Sequence, residues 1–450
     1  MINEKKLKEF IRDNDFQSFN EKKKYIINNP DNLLLPELSR LFELVNNNRT
    51  NTSAYYTDNS ILMYIERYLP IIDKEVIRVL EPSVGVGNFL ELIIERYSYA
   101  KKLIIEVNDI DRESLKILKL LNSFRKIPKN VEIVYHNKDF LDEEFLKNEK
   151  FDLIVGNPPF QKLKSGKQLK KLQEVYEDND ANNLAAFFIE KSITISDYVI
   201  LIEPKYFLSN SDFRTCREKL MNHKLDYIID FGERGFKGVK IETISLFINT
   251  KDSPNKTRSI SVPKNYENYY KQEKLVDPQF PGWLIYKNSF FEELSKKLIF
   301  NIFDVYRDRQ VTNSILLSSG EIPVIKSRNI SRDGSGLISL GNYDSFINRN
   351  VLNKLQIKKY YHRNDVFLAP NMTYYPRVIR KPRNVITNGS VAILENKTDF
   401  EITDEDLKFF SSKEFEEFYS IARNFSTRSL NLDKNSIVFF GILKELRNND

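Results

Sequence analysis

One cysteine, Cys216, stands in 450 residues. No intramolecular disulfide can staple this chain, and a reducing, cytoplasmic setting is expected. No apolar run approaches the roughly 18 residues that span a bilayer, and the opening Met1-Ile2-Asn3-Glu4-Lys5-Lys6 lacks the apolar stretch of a signal peptide, so no membrane attachment is expected. Three histidines, His136, His223 and His362, show no metal-ligand spacing, and no metal is expected. What is plentiful is charge: 69 Lys and Arg against 63 Asp and Glu leave the chain at +6, a balance that suits a polyanionic partner without requiring one.

A chain of 450 residues exceeds what one hydrophobic core serves, so two large domains are expected. Residues 1–50 read as an N-terminal helical arm with an apolar stripe (Leu7, Phe10, Ile11; Leu38, Leu41, Phe42, Val45), closing on the polar run 46–52. From 51 to 250, β-branched runs at 76–80, 103–107, 131–135, 153–155, 199–202, 227–230 and 244–248 alternate with helical periods at 89–97, 112–124, 184–195 and 212–223. That alternation predicts a parallel α/β sheet of Rossmann-like type, which binds ligand beyond the carboxyl ends of its strands. After a linker at 251–256 the alternation lapses, and a second, mixed α+β domain is expected over 251–450. Its segment 321–390 holds twelve basic side chains against four acidic ones, a local +8.

The first strand runs into Leu80-Glu81-Pro82-Ser83-Val84-Gly85-Val86-Gly87-Asn88-Phe89-Leu90, where two glycines allow a sharp turn against a ligand. The third glycine of the nicotinamide fingerprint is replaced by Leu90, and no Gly-Lys-Ser/Thr follows, so a dehydrogenase and a phosphate-cradling loop both fit poorly. The second strand ends in Asn108-Asp109-Ile110-Asp111, a place where a carboxylate can accept both hydroxyls of a ribose. The third ends in Asp139-Phe140, able to accept from an adenine amino group and cover its ring. Each acidic residue taken alone is equally a helix cap or solvated turn; it is the recurrence at three successive strand ends that points to a ligand. The fourth strand leads into Asn157-Pro158-Pro159-Phe160. Two prolines stiffen this turn and leave its carbonyls as fixed acceptors. The Asn157 side-chain oxygen and the Pro158 carbonyl are expected to accept both N–H groups of an adenine amino nitrogen, leaving it more tetrahedral and nucleophilic, with Phe160 stacked on the base.

Taken in order, Tyr55-Tyr56-Thr57, Glu81 to Gly87, Asp109-Ile110-Asp111, Asp139-Phe140 and Asn157-Pro158-Pro159-Phe160 resemble the gamma-class N6-adenine DNA methyltransferases of restriction-modification systems, the TaqI and Eco57I type. The resemblance runs on through Asn183 to Lys191 and Ile202-Glu203-Pro204-Lys205-Tyr206-Phe207-Leu208, and covers about residues 50–250. It implies an S-adenosylmethionine-dependent enzyme that methylates a flipped adenine. Thr57, Glu81, Ser83 and Gly85 would hold the methionine part of the cofactor, Asp109 with Ile110 the ribose, and Asp139 with Phe140 the adenine. Asn157, Pro158, Pro159 and Phe160 would form the catalytic turn, with Phe236 a second aromatic against the target base. The chain departs from the family at Phe160, where tyrosine is commoner, and at Asp58, where proline usually follows the threonine; stacking needs only a ring and survives the first change.

The second domain resembles the family's target-recognition region through 322–330 and 374–382. Lys326, Arg328, Arg377, Arg380, Lys381 and Arg383 are expected to contact double-stranded DNA, phosphates through charge and some base edges directly. Lys162, Lys164, Lys167, Lys170 and Lys171 read as a basic loop that either closes over DNA or is plain surface. Direct transfer is expected without a covalent enzyme intermediate. Cys216, in Arg214-Thr215-Cys216-Arg217-Glu218 on an expected helix, reads as a packing residue and not the nucleophile that cytosine-C5 chemistry needs. The resemblance further implies a separately encoded cognate restriction endonuclease; a monomer is expected, and no fused nuclease, because the 50-residue arm is too small for one and no additional domain follows the recognition region. The same chemistry on RNA adenine or protein glutamine, and a non-catalytic DNA-binding specificity protein, are the rival readings.

Overall fold

The computed structural model describes residues 9–11, 14, 16, 18–45, 59–233, 241–371, 375–426 and 432–447. Two compact units result, Met1–Lys274 and Leu275–Asp450. Among the described residues, no helix is long and apolar enough to cross a membrane.

The first unit is organised by nine strands: β1 (Val76–Glu81), β2 (Lys102–Asn108), β3 (Val131–His136), β4 (Phe151–Gly156), β5 (Ser196–Pro204), β6 (Lys224–Gly232), β7 (Thr243–Asn249), β8 (Lys256–Ser261) and β9 (Tyr266–Lys271). Their order is β3-β2-β1-β4-β5-β7-β6-β8-β9. The first five run parallel, and β7 is inserted antiparallel between β5 and β6. The chain order reverses between β1 and β4, which makes their carboxyl ends the crevice where such a sheet takes a ligand. β4 is buried along its whole length, with Leu153, Ile154 and Val155 at 0 % exposure. Each such side chain contributes roughly 1.5–3 kcal/mol relative to exposure, so the strand bearing the Asn157 turn is firmly held.

The seven expected strands are all present. The boundary moves: β8 and β9 extend the sheet past the expected linker, and the unit ends at Lys274 instead of near 250. The polar run Lys251 to Lys256 is a reversal inside the sheet.

Helices α1 (Phe19–Asn28), α2 (Leu35–Val45), α3 (Asn59–Tyr68), α4 (Leu90–Tyr97), α5 (Arg112–Asn122), α6 (Lys167–Val175), α7 (Leu184–Ile195) and α8 (Arg214–Leu220) accompany the sheet. Ser18 and Glu21 close α1 with a reciprocal capping box, 2.8 and 3.3 Å. Asp111 caps α5, accepting from the Glu113 amide at 3.1 Å, and Asn183 caps α7, accepting from Ala185 at 3.1 Å. The expected basic loop is in part helix: Lys167, Lys170 and Lys171 lie on α6, whose Leu172 is buried. Cys216 is fully buried on α8, and burial raises its thiol pKa well above the ordinary value.

Helix α7 carries a buried carboxyl, Glu190, near an equally buried Asp178. Desolvation first, then Asp178, lifts Glu190 to about 8, although the Lys219 ammonium donates to it at 2.9 Å. The native pKa lies above the unfolded value near 4.3, so the folded state keeps a proton the unfolded chain releases, and stability falls as pH rises between those values. Glu190→Gln is expected to remove that loss, at most about 1.4 kcal/mol per pH unit. Urea midpoints of both proteins from pH 5 to 9 check this; parallel curves would refute it.

The second unit is mixed α+β. A four-stranded sheet pairs Phe303–Tyr306, Val391–Asn396, Phe367–Pro370 and Ile379–Arg380 in that order, and Ile322–Ile325 pairs with Ser345–Ile347 and Ile386–Thr387. One apolar core joins the two, including Ile322, Ile347, Leu368, Ile386 and Ile393, all at 0 % exposure.

Candidate functional site

Both glycines after β1 adopt left-handed backbone, Gly85 at φ 53° and Gly87 at φ 82°. A Cβ on Gly87 would stand 2.6 Å from Leu118 Cδ1 of α5, so the turn also needs glycine for close helix packing. The turn is fastened to β2: the Val84 amide donates to the Asn108 carbonyl at 2.9 Å, and the Gly85 amide donates to Asp109 Oδ2 at 2.7 Å. Asn108 carries no signal of its own in the sequence, yet it staples three strand ends. Its side-chain amide donates to the carbonyls of Pro82 and Lys138, each at 3.1 Å, and its oxygen accepts from the Lys138 amide at 3.1 Å.

Asp109 is therefore partly committed, with Oδ1 accepting from the Asp111 amide at 2.8 Å. Each carboxylate oxygen still has a second lone pair for a ligand hydroxyl. Burial raises this carboxyl to about 6 against the pull of the Asp111 and Gly85 amides. Ile110 is 63 % exposed on the rim. Asp139 is exposed and accepts from the Leu141 amide at 2.9 Å, while Phe140 is buried with its ring 4.8 Å from that of Phe188.

At the end of β4, the Ser83 hydroxyl donates to the Asn157 carbonyl at 3.0 Å, tying the glycine turn to the proline turn. Asn183 grips the far side, donating to the Phe160 carbonyl at 3.2 Å and the Tyr206 hydroxyl at 3.3 Å. Asn157 and Pro159 line the cleft; Pro158 is buried. Phe160 differs from expectation: the residue is 7 % exposed and lies outside the cleft lining, with its carbonyl held by Asn183 at the start of α7. A base stacked on it must first uncover the ring.

These strand ends enclose a cavity of about 560 Å³ in which Glu81, Ser83, Gly85, Asp109, Ile110, Asp139, Phe140 and Asn157 meet. Seven carboxylates line it (Glu43, Glu81, Asp109, Asp111, Asp139, Asp142, Glu143) against Lys138 and Lys171. Such a lining favours a cationic ligand. Glu81 is 2 % exposed and its Oε2 lacks a hydrogen-bond partner among the described residues. Desolvation and then Asp109 hold its carboxyl well above the usual range. A buried acceptor left open beside a cavity is a place for a ligand's ammonium or sulfonium charge. No group of three or more His, Cys, Asp or Glu side chains able to hold a metal occurs among the described residues. Thr57, with Tyr55 and Tyr56, and Phe236 lie outside the described residues.

In the second unit, two residues expected on DNA have other work. Arg377 is 9 % exposed and donates to the carbonyls of Tyr375 at 2.9 Å, Ser327 at 3.2 Å and Ile330 at 3.2 Å. Lys381 is 1 % exposed and donates to the carbonyls of Tyr361, Arg363 and Pro382 at 3.0–3.3 Å; burial lowers it to about 8. Neither reaches a phosphate without abandoning buried carbonyls. Arg328, Arg380 and Arg383 are exposed and Lys326 half-buried. Arg380 donates to the Ile402 carbonyl at 2.6 Å, and the charges of Lys326 and Arg328 lie 3.9 and 4.8 Å from the Tyr343 ring centre.

Residues 87–236 match the family described as Eco57I restriction-modification methylase. The chain is 24% identical over 314 residues to the type II methyltransferase M.VspI of Vibrio sp. (strain 343), covering 69% of this chain and 70% of that one. It is 23% identical over 381 residues to the type II methyltransferase M.BsuBI of Bacillus subtilis, covering 76% and 69%. Among solved structures, the type IIG restriction endonuclease BpuSI is similar in fold, with a TM-score of 0.51 at 15% identity over 92% of this chain. The chain spans 62% of that structure. The matched segment begins at Gly87, the last residue of the glycine turn, and contains the Asp109 and Asp139 strand ends and the Asn157 turn; S-adenosylmethionine is the expected cofactor.

Proposed function

We propose, from the premise that this chain carries an Eco57I-type restriction-modification methylase domain, that it is a DNA methyltransferase acting on the exocyclic N6 of an adenine swung out of the duplex. The observation that carries the reading is the fastening of the Asn157 turn to the glycine turn through Ser83, at 3.0 Å, beside a cleft whose open buried acceptor is Glu81. One rigid wall thus serves both donor and acceptor of the methyl group. Bound there, S-adenosylmethionine would supply an electrophilic methyl on a sulfonium. Glu81 would face its positive end, Asp109 its ribose hydroxyls, and Asp139 with Phe140 its adenine. The Asn157 side-chain oxygen and the Pro158 carbonyl would accept the two N–H groups of the target amine and aim its lone pair. Swinging the base out costs a few kcal/mol, which stacking on an uncovered Phe160 would in part recover.

The same proposal makes Leu275–Asp450 the target-recognition part and duplex DNA its partner, with a separately encoded cognate endonuclease alongside. Arg328→Ala is expected to weaken duplex binding and lower the magnitude of its log–log salt slope by about 0.9, one phosphate contact. Arg377→Ala is expected to lower the stability of the protein by about 2–3 kcal/mol instead, since it strands buried carbonyls. Binding titrations at several salt concentrations, paired with thermal unfolding, check both; an Arg377 variant of wild-type stability would refute the second.

The test of function is transfer of tritiated methyl from S-adenosylmethionine to unmethylated duplex DNA followed by nucleoside digestion. Label in N6-methyldeoxyadenosine is expected. Label in a methylcytosine, in RNA or in protein would overturn the assignment, and binding of DNA without transfer would point to a specificity protein.

A further inference from the structure

One wall of the acidic cleft comes from the N-terminal arm. Glu43, on α2 of the N-terminal arm, lines the same cavity as Asp109, Asp111 and Ser114. Its side chain is 14 % exposed and sits 3.7 Å from the Arg40 guanidinium.

The arm is built onto the glycine turn. Leu41 and Phe42 of α2, at 0 % exposure, join Phe16 and Ile26 in one apolar cluster with Val86 of the turn and Ile117 and Leu121 of α5. Lys22 of α1 is 3 % exposed and forms an ion pair with Glu113 in the first turn of α5. The Lys116 ammonium lies 5.3 Å over the Phe19 ring. Val86 stands between the two left-handed glycines, and the neighbouring Gly85 amide holds Asp109, so the arm packs against the residues that shape the cleft.

We infer that the N-terminal helices form a docked wall of the methyl-donor cleft, with Glu43 facing the nucleoside half of the cofactor, so that arm docking and cofactor binding strengthen each other. This rests on the cofactor reading given above. The nucleoside half is assigned because the arm packs along α5, and the first turn of α5, at Asp111 and Ser114, lines the cleft beside Glu43. Ligand contact with the arm lowers the free energy of the docked state alone, and by linkage a poorly docked arm weakens the ligand by the same factor.

The experiment measures S-adenosylhomocysteine binding to the full chain by calorimetry, for wild type, Glu43→Gln and Lys22→Glu. Hydrogen exchange of residues 19–45 with and without the ligand accompanies it. Glu43→Gln keeps size and removes charge; Lys22→Glu sets two carboxylates against each other at the arm's ion pair, and thermal unfolding of both variants verifies a folded sheet. Expected are Kd values raised about 5–10-fold in both variants and slower exchange in the arm when ligand is bound. Wild-type binding with both variants within twofold and unchanged exchange overturns the inference. Absence of binding by wild type overturns the cofactor reading itself, and this inference with it.

Discussion

Asn157→Ala is expected to abolish most methyl transfer while leaving cofactor affinity near wild type. The side chain projects from the end of β4, whose residues are buried throughout, and its own carbonyl is fixed by Ser83 at 3.0 Å. Truncation therefore removes one acceptor and leaves the turn in place. An acceptor aligned with charge that develops in the transition state contributes about 10²–10³ in rate, and a loss of that size in single-turnover transfer is the expected result. Asn157→Asp keeps an acceptor oxygen and is expected to retain more activity than Ala. Equal loss in both, or a parallel loss of S-adenosylhomocysteine binding, would argue that Asn157 supports the cleft and does not hold the acceptor amine.

Glu81→Gln is expected to weaken the cofactor by about 10–100-fold, the equivalent of one charge-assisted hydrogen bond of 1.5–3 kcal/mol. Its sign on stability is opposite. Burial and the neighbouring Asp109 hold the Glu81 carboxyl well above the usual range, with Arg125 opposing. An acid whose native pKa exceeds its unfolded value reduces stability as pH rises from the unfolded value, so the ligand-free protein at pH 8 is expected to melt higher with glutamine there. For wild type, cofactor affinity is expected to fall as acid protonates Glu81, and the glutamine variant is expected to lose that dependence. Calorimetry across pH and ligand-free melting curves read the two effects separately; a variant that binds as tightly as wild type would remove Glu81 from the site. A residue whose removal stabilises the empty protein and disables the loaded one is held for function at a cost in stability.

Much of the first unit was legible beforehand because parallel strands buried on both faces carry dense β-branched runs. β4 and β5 are such strands, and their carboxyl ends were located by the glycines, acids and prolines that follow. β8 and β9 were not: Lys-Thr-Arg-Ser-Ile-Ser is polar although four of its six residues are buried, and Tyr-Glu-Asn-Tyr-Tyr-Lys is the sheet's edge strand and largely exposed. Their polar composition resembles linker, and only the pairing of β8 with β6 and of β9 with β8 reveals them as sheet. The helix Lys167–Val175 was hidden for a related reason: its lysines dominate the composition, while one buried Leu172 anchors it.

Site chemistry divided in the same way. Residue type and order along the chain determined which strand ends could hold a nucleoside and which turn could present acceptors, because those roles depend on local backbone and on side-chain functional groups. Tertiary packing alone decided which charges are available. Arg377 and Lys381 look like surface cations in any linear reading, yet they fold inward and donate to main-chain carbonyls, those of Ile330 and Tyr361 among them. Phe160 is buried, its carbonyl held at the start of α7, and Glu43 reaches the cleft only because the apolar stripe of α2 finds Val86, more than 40 residues away. A sequence carries the identity of each group, but its solvation and its neighbours across the fold, which determine whether a charge is exposed or used internally, exist only once the chain has packed.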